Sequence, residues 1–240
     1  MNLKRNIWAA LALMTAWSGY AQKLAPPKDA AVVTWELSGL ENLGTPARTI
    51  GEPKVISTPD GKAVLFDGQH DGLLIRSNPL AGHQAFTVEA IFRPDAGGNE
   101  QQRWLHIQEE KTDSRVLLEI RLSGDQWFLD TYIKSGENSR ALYAENFKHR
   151  VGEWYHVALV YDGTTMRHYV NGAEELSGLL QMKPLADGQT SIGVRLNRVY
   201  WFKGAVSKTR FTPRALTVKE FMAKSWTRHQ TASARRRRSR

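Results

Sequence analysis

With 240 residues and no cysteine, the chain is long enough for one domain with a well-buried core, and that core has no disulfide to brace it. The formal net charge of +9 does not describe a basic domain, because Lys4, Arg5, Arg235, Arg236, Arg237, Arg238 and Arg240 carry seven of those charges near the two ends and leave +2 for the body. This excludes a domain whose overall charge attracts nucleic acid, and no specific nucleic-acid partner is expected.

In chain order, residues 1–21 are expected to be a secretory signal peptide. Lys4 and Arg5 precede the apolar run Ile7 to Trp17, and Ser18-Gly19-Tyr20-Ala21 supplies the small residues of a cleavage site before Gln22. The run falls short of the ~20 residues a bilayer core requires, so no transmembrane segment is expected, and the localisation implied is secreted or periplasmic. Residues 22–31 are a short Pro-containing lead, residues 32–224 one domain, and residues 225–240 a basic tail that its own repulsion should keep disordered.

Between the two ends the sequence breaks into strand-length segments. Val32 to Leu37 comes first, then a Gly/Pro-rich loop reaching Asp60-Gly61. Ala63 to Phe66 and Leu73 to Arg76 flank the turn "DGQHDG". Phe86 to Arg93, Arg103 to Glu109, Arg115 to Leu122, Gln126 to Lys134 and Ala141 to Glu145 follow. "EWYHVALVYDGTTMRHYVNG" (Glu153 to Gly172) alternates, turns at Asp162-Gly163 and alternates again, which is the pattern of an antiparallel hairpin. Ser191 to Leu196 and Trp201 to Phe211 complete the strands, and Thr217 to Lys224 reads as a short helix with Thr217 as N-cap and Glu220 at capping-box distance. About one strand and turn per 8–12 residues is the rhythm of an all-β sandwich or barrel.

Four stretches carry a family resemblance: "GKAVLFDGQHDGLLI", "FTVEAIFRP", the Glu153–Gly172 hairpin and "FKGAVSKTRFTPRALTVKEF". In that order they resemble the laminin-G-like, concanavalin A-like lectin/glucanase jelly-roll family. The resemblance implies a two-sheet antiparallel β-sandwich with a short C-terminal helix, often with a face that binds sugars or a partner protein. The closing strand of the family typically carries acids that serve a structural calcium, whereas Ser207 and Lys208 stand at the matching positions here. A neighbouring ammonium opposes a hard cation, so no cofactor or metal is expected; Asp67 and Asp71 remain as candidate ligands for a structural calcium, although their Asp-Gly context favours a turn role.

Period-two arithmetic supplies the candidate site. Trp104, His106 and Gln108 share one face of their strand; Arg115, Glu119 and Arg121 share one of the next; and Gln126, Phe128, Asp130, Tyr132 and Lys134 share one of the third. Turns centred on Thr112-Asp113 and Gly124-Asp125 set His106 opposite Glu119 and Glu119 opposite Asp130, with Trp104, Arg121 and Phe128 in the neighbouring row. Trp104, His106, Glu119, Arg121, Asp130 and Tyr132 are therefore the expected ligand-binding residues of a non-catalytic carbohydrate-binding face.

Two alternatives stay open at this point. Laminarinase-type hydrolases of the same fold place three acids at alternate positions, and Arg121 and Ser123 follow Glu119 instead. "YIKSG" (Tyr132 to Gly136) is similar to one motif of jelly-roll alginate lyases, whose companion motifs are not recognisable. A polysaccharide lyase or glycoside hydrolase on the same face is thus the enzymatic alternative, and a protein-interaction or spacer domain is the other. His156 and His168 could share a hairpin face, but without a third ligand they imply no metal site.

Overall fold

The computed structural model describes residues 31–40 and 47–222. The expected signal peptide, most of the lead, the basic tail and the last two residues of the expected helix lie outside them. Among the described residues the chain forms β1 (Val33–Glu36), β2 (Ala47–Ile50), β3 (Lys54–Thr58), β4 (Gly61–Asp67), β5 (Gly72–Ile75), β6 (Phe86–Pro94), β7 (Gln101–Glu109) and β8 (Arg115–Ser123). It continues through β9 (Gln126–Ser135), β10 (Asn138–Tyr143), β11 (His149–Arg150), β12 (Tyr155–Tyr161), β13 (Thr165–Val170), β14 (Ala173–Leu179), β15 (Gly188–Ile192) and β16 (Lys203–Thr212).

The strands make two antiparallel sheets. One runs β14-β13-β12-β6-β16-β4-β3, with β1 also on β16; the other runs β10-β9-β8-β7-β15-β5-β2, with β11 also on β9. Alternation explains why they stack: Val116, Leu118 and Ile120 of β8 are fully buried, while Arg115 and Arg121, which flank them, face outward. Phe92 of β6 lies at the centre of the shared core, stacked on Trp104 at 4.9 Å between ring centroids and on Phe202 at 6.1 Å, with Trp127 edge-on at 5.2 Å. Burying a Phe ring contributes about 1.5–3 kcal/mol, and the larger Trp rings contribute more.

The hairpin expected at Glu153–Gly172 is present as β12 and β13, but β12 is buried on both faces. Ala158, Val160 and Tyr169 face away from the main core and are covered by Ala215 and Phe221 of the C-terminal segment. The carboxylate of Glu89, on β6, ties that segment down: it accepts hydrogen bonds from His156 Nε2 (3.0 Å), the Met222 N–H (2.7 Å) and Arg210 Nε (2.6 Å).

This anchoring corrects the expected terminal helix. Glu220 does accept from the Thr217 N–H at 2.9 Å, yet the helical part is a 3₁₀ turn over Val218–Glu220. Phe221 then turns extended (ψ 157°), which seats its ring on His156 and Tyr169 and directs the next N–H at Glu89. Packing and a charge-assisted hydrogen bond outweigh the weak propensity of a one-turn helix.

Other differences are local. The loop expected up to Asp60 contains β2 and β3, two edge strands whose polar sequences carry little apolar signal. Edge strand β14 follows the Asn171-Gly172 turn, and short β11 was not anticipated. The segment expected as a strand at Ser191 to Leu196 is strand only as far as Ile192, and from there the chain leaves the sheet as a loop.

Candidate functional site

The outer face of the second sheet holds the expected site, in a register set by one irregularity. β8 and β9 pair as anticipated, with Glu119 opposite Asp130 and Arg121 opposite Phe128. Between β7 and β8 a bulge shifts the ladder, so Arg103 faces Glu119, Leu105 faces Leu118 and His106 faces Leu117. The extra residue is Trp104. It turns inward, is fully buried against Phe92, and belongs to the core instead of the candidate face. Arg103 takes the outward place that strict alternation assigned to Trp104.

His106 keeps its face but not its partner. It is 1% exposed, because the loop after β15 folds over β7: the Arg103 N–H donates to the Tyr200 carbonyl at 2.9 Å and the Leu196 N–H to His106 Nδ1 at 3.0 Å. Gly193, at φ +83°, opens that loop, and a Cβ there would stand 2.3 Å from the Phe66 ring. With Nδ1 accepting, the proton of the neutral imidazole sits on Nε2, a buried atom that makes no well-formed hydrogen bond although the Gln108 side chain approaches the ring. Burial first, then the nearby charges of Arg195 and Arg115, push the His106 pKa down to about 3.

Arginine dominates the electrostatics. Arg103 Nε lies 2.9 Å from Glu119 Oε2, and Arg121 Nε donates to Asp130 Oδ2 at 2.8 Å. Both carboxylates sit beneath these guanidinium groups, at 4% and 3% exposure. Burial, opposed by Arg103 and reinforced by Asp130, pushes Glu119 up to about 7, and burial also raises Asp130. Arg115 Nη1 donates to the Asp113 carbonyl at 2.8 Å, and Lys134 pairs with the Asp113 carboxylate at 2.5 Å. Each tyrosine on the face carries a guanidinium over its ring: Arg103 on Tyr200 at 3.5 Å, Arg121 on Tyr143 at 4.3 Å and Arg115 on Tyr132 at 5.2 Å.

Two adjoining clefts open here. One, of about 200 Å³, is lined by Arg103, Arg115, Glu119, Arg121, Asp130 and Arg195, among others. The second, of about 520 Å³, shares Arg115 and Arg195 with it and adds His106, Gln108 and Asp113. Of the expected residues, the structure therefore brings together His106, Glu119, Arg121, Asp130 and Tyr132, and it removes Trp104. Arg103 and Arg195 are the residues that sequence reasoning missed. A tryptophan assigned to a wet face beside an arginine assigned to a dry one was the available hint of the bulge.

Two other expected clusters resolve differently. His156 faces outward to Glu89, whereas His168 faces the interior, 3.0 Å from Thr131 Oγ1 of the opposite sheet, so the two histidines lie on opposite faces of the hairpin. Asp67 Oδ1 accepts the N–H groups of Gln69, His70 and Asp71, and the Asp71 carboxylate accepts those of Glu52 and Asp67. Among the described residues no group of three His, Cys, Asp or Glu side chains is placed to hold a metal ion.

Two antiparallel sheets around a single core, with a polar cleft on the outside of one, define a lectin-like sandwich. Residues 67–221 match the family model Laminin_G_3, described as the concanavalin A-like lectin/glucanases superfamily, and the chain belongs to that superfamily. Pappalysin-1 of Mus musculus is 28% identical over 137 residues, which cover 53% of this chain and only 8% of that protein. Among solved structures, domain 4 of AbnA, a GH43 extracellular arabinanase from Geobacillus stearothermophilus in complex with arabinotriose, is similar at 18% identity and a TM-score of 0.58, covering 80% of this chain and 95% of that one. The receptor binding domain of botulinum neurotoxin C/D mosaic serotype is similar at 12% identity and a TM-score of 0.61, covering 78% of this chain and 49% of that one. At such identities the likeness shows a common fold. No helix among the described residues is long and apolar enough to cross a membrane.

Proposed function

We propose that the chain is an exported, non-catalytic module that binds carbohydrate through the outer face of its second sheet. The observation that carries this reading is the paired cleft between β7, β8, β9 and the loop after β15, lined mainly by planar hydrogen-bonding side chains, with Leu117, Ala141 and Leu196 among them. Sugar hydroxyls suit such a lining, since guanidinium, amide and phenol groups give directed donors and acceptors. Tyr132, Tyr143 and Tyr200 supply the aromatic element that Trp104 cannot, although the arginines already on their rings favour hydrogen bonding over ring stacking. The arabinotriose bound by the similar AbnA domain is consistent with this use of the fold.

Glu119 and Asp130 do not argue for catalysis. Each is covered and held by an arginine, so neither carboxylate is free to meet a glycosidic oxygen. Their role is to fix the guanidinium groups above them. The signal-like residues 1–21 support export.

The test is affinity electrophoresis of the full chain through gels containing neutral and acidic polysaccharides, alongside a glycan array. Retardation that weakens in Tyr132→Ala is expected. No retardation by a folded sample on any polysaccharide would overturn the reading in favour of a protein partner. Accumulation of reducing or unsaturated ends would overturn its non-catalytic part.

A further inference from the structure

Building on the carbohydrate-binding reading, we propose that the ligand is an acidic glycan and that Arg195, Arg115 and His106 hold its oxyanion, a uronate carboxylate or a sulfate ester, where the two clefts meet. The charges of the site are unevenly paired. Arg103 is answered by Glu119 and Arg121 by Asp130, while Lys134 and Arg115 share the single carboxylate of Asp113. Arg195 has no carboxylate within ion-pair distance and no side-chain hydrogen bond among the described residues.

Burial first, and then the neighbouring Arg115 and Arg103, lower the affinity of Arg195 for its own proton, with Glu119 and Tyr200 offsetting part of the like-charge repulsion. An anion placed between Arg195 and Arg115 relieves it.

A second, independent observation points to the same place. Arg115 Nε is a buried donor with no hydrogen-bond partner among the described residues, and buried His106 Nε2 makes no well-formed hydrogen bond, with only the Gln108 side chain approaching the ring. Leaving such donors unmet is costly, and an acceptor delivered by a ligand offsets that cost. Both residues line the larger cleft together with Arg195. Arginine presents a planar fork that matches carboxylate and sulfate oxygens two at a time, while the neutral imidazole adds one directed N–H. A neutral sugar would use the donors but leave Arg195 uncompensated.

The experiment is isothermal titration of the full-length chain with three short oligosaccharides of equal length: a uronate oligomer, a sulfated oligomer and a neutral one. Comparing variants in one chain keeps the contribution of the arginine-rich end constant. Arg195→Gln is expected to weaken the acidic oligomers on the order of 10- to 100-fold, as for loss of a charge-assisted pair. Arg195→Lys should recover part of this loss, and Lys54→Gln, which removes an exposed charge from the first sheet, should have no effect. Preference between the uronate and the sulfated oligomer names the source of the oxyanion.

Folding does not confound the test, since the Arg195 side chain makes no ion pair or hydrogen bond with another described residue. Tight binding of the neutral oligomer that is indifferent to Arg195→Gln would refute the acidic-ligand inference and keep the sugar-binding reading. Equal losses in Lys54→Gln and Arg195→Gln would refute it as unspecific charge attraction. No binding of any oligomer, together with none in the polysaccharide gels, would overturn both.

Discussion

Replacing Trp104 by alanine separates a core tryptophan from a sugar platform. The side chain is fully buried at the β7 bulge, and its ring lies on Phe92 with 30° between planes. A buried aromatic side chain covers roughly 150–250 Å². At about 25 cal/mol per Å² that area corresponds to ~4–6 kcal/mol, and Trp→Ala changes in cores cost about 3–5 kcal/mol. Against a total stability of about 5–15 kcal/mol, Trp104→Ala should remove about a fifth at the least. The assay is urea unfolding followed by far-UV circular dichroism; with a slope near 2 kcal/mol per M, the midpoint should fall by about 2 M. Trp104→Phe should lose less, because the indole nitrogen has no hydrogen-bond partner to forfeit among the described residues. Glycan affinity per folded molecule should not change. A midpoint shift below about 0.5 M combined with loss of glycan retention would refute the inward-facing bulge and return Trp104 to the surface.

Further outcomes follow from the same geometry. His106 and His168 are both held neutral, near pKa 3, chiefly by burial, against about 6.5 when unfolded. The unfolded chain binds the extra protons, so stability should be complete above pH 6.5 and fall as pH drops toward 3, by up to about 1.4 kcal/mol per pH unit for each; His168→Gln should flatten this slope in urea titrations at stepped pH. Glu119 has the opposite sign: raised to about 7, it favours the folded state below pH 4.5 and loses that contribution as pH rises through 7. The difference in unfolding free energy between wild type and Glu119→Gln should therefore drift by about 3 kcal/mol across that window, and a drift of zero would deny the burial of Glu119. Glu89→Ala should cost about 3–5 kcal/mol by leaving Arg210 unanswered, and hydrogen exchange should show early loss of protection at the Met222 amide. Gly193→Ala should displace the loop that carries Arg195, seen as a loss of acidic-glycan affinity larger than the loss of global stability.

The strand pattern of most of the sandwich was legible because burial of one face writes a period of two into the sequence, as in "RVLLEIRLS", where the outward residues identified from spacing are the ones that face out. The β8–β9 register was legible too, since a short turn at Gly124-Asp125 leaves few pairings and Glu119 opposite Asp130 is one of them. Edge strands β2 and β3 left no such imprint, having one neighbour each and little burial.

By itself, then, the sequence determined the all-β class, the antiparallel hairpins and the sheet that carries the candidate site, because alternation and turn chemistry are local properties. Only the tertiary structure decided which residues occupy that site. A single bulge residue reverses the face of all that precede it on the strand, so the exchange of Trp104 for Arg103 depended on the space left beside Phe92 in the opposite sheet. Arg195 entered because Gly193 diverts its loop across β7, and the terminal turn unwound because Glu89, far away in sequence, offered its backbone a better partner. These outcomes are set by contacts between distant segments, for which neither propensity nor periodicity carries a signal.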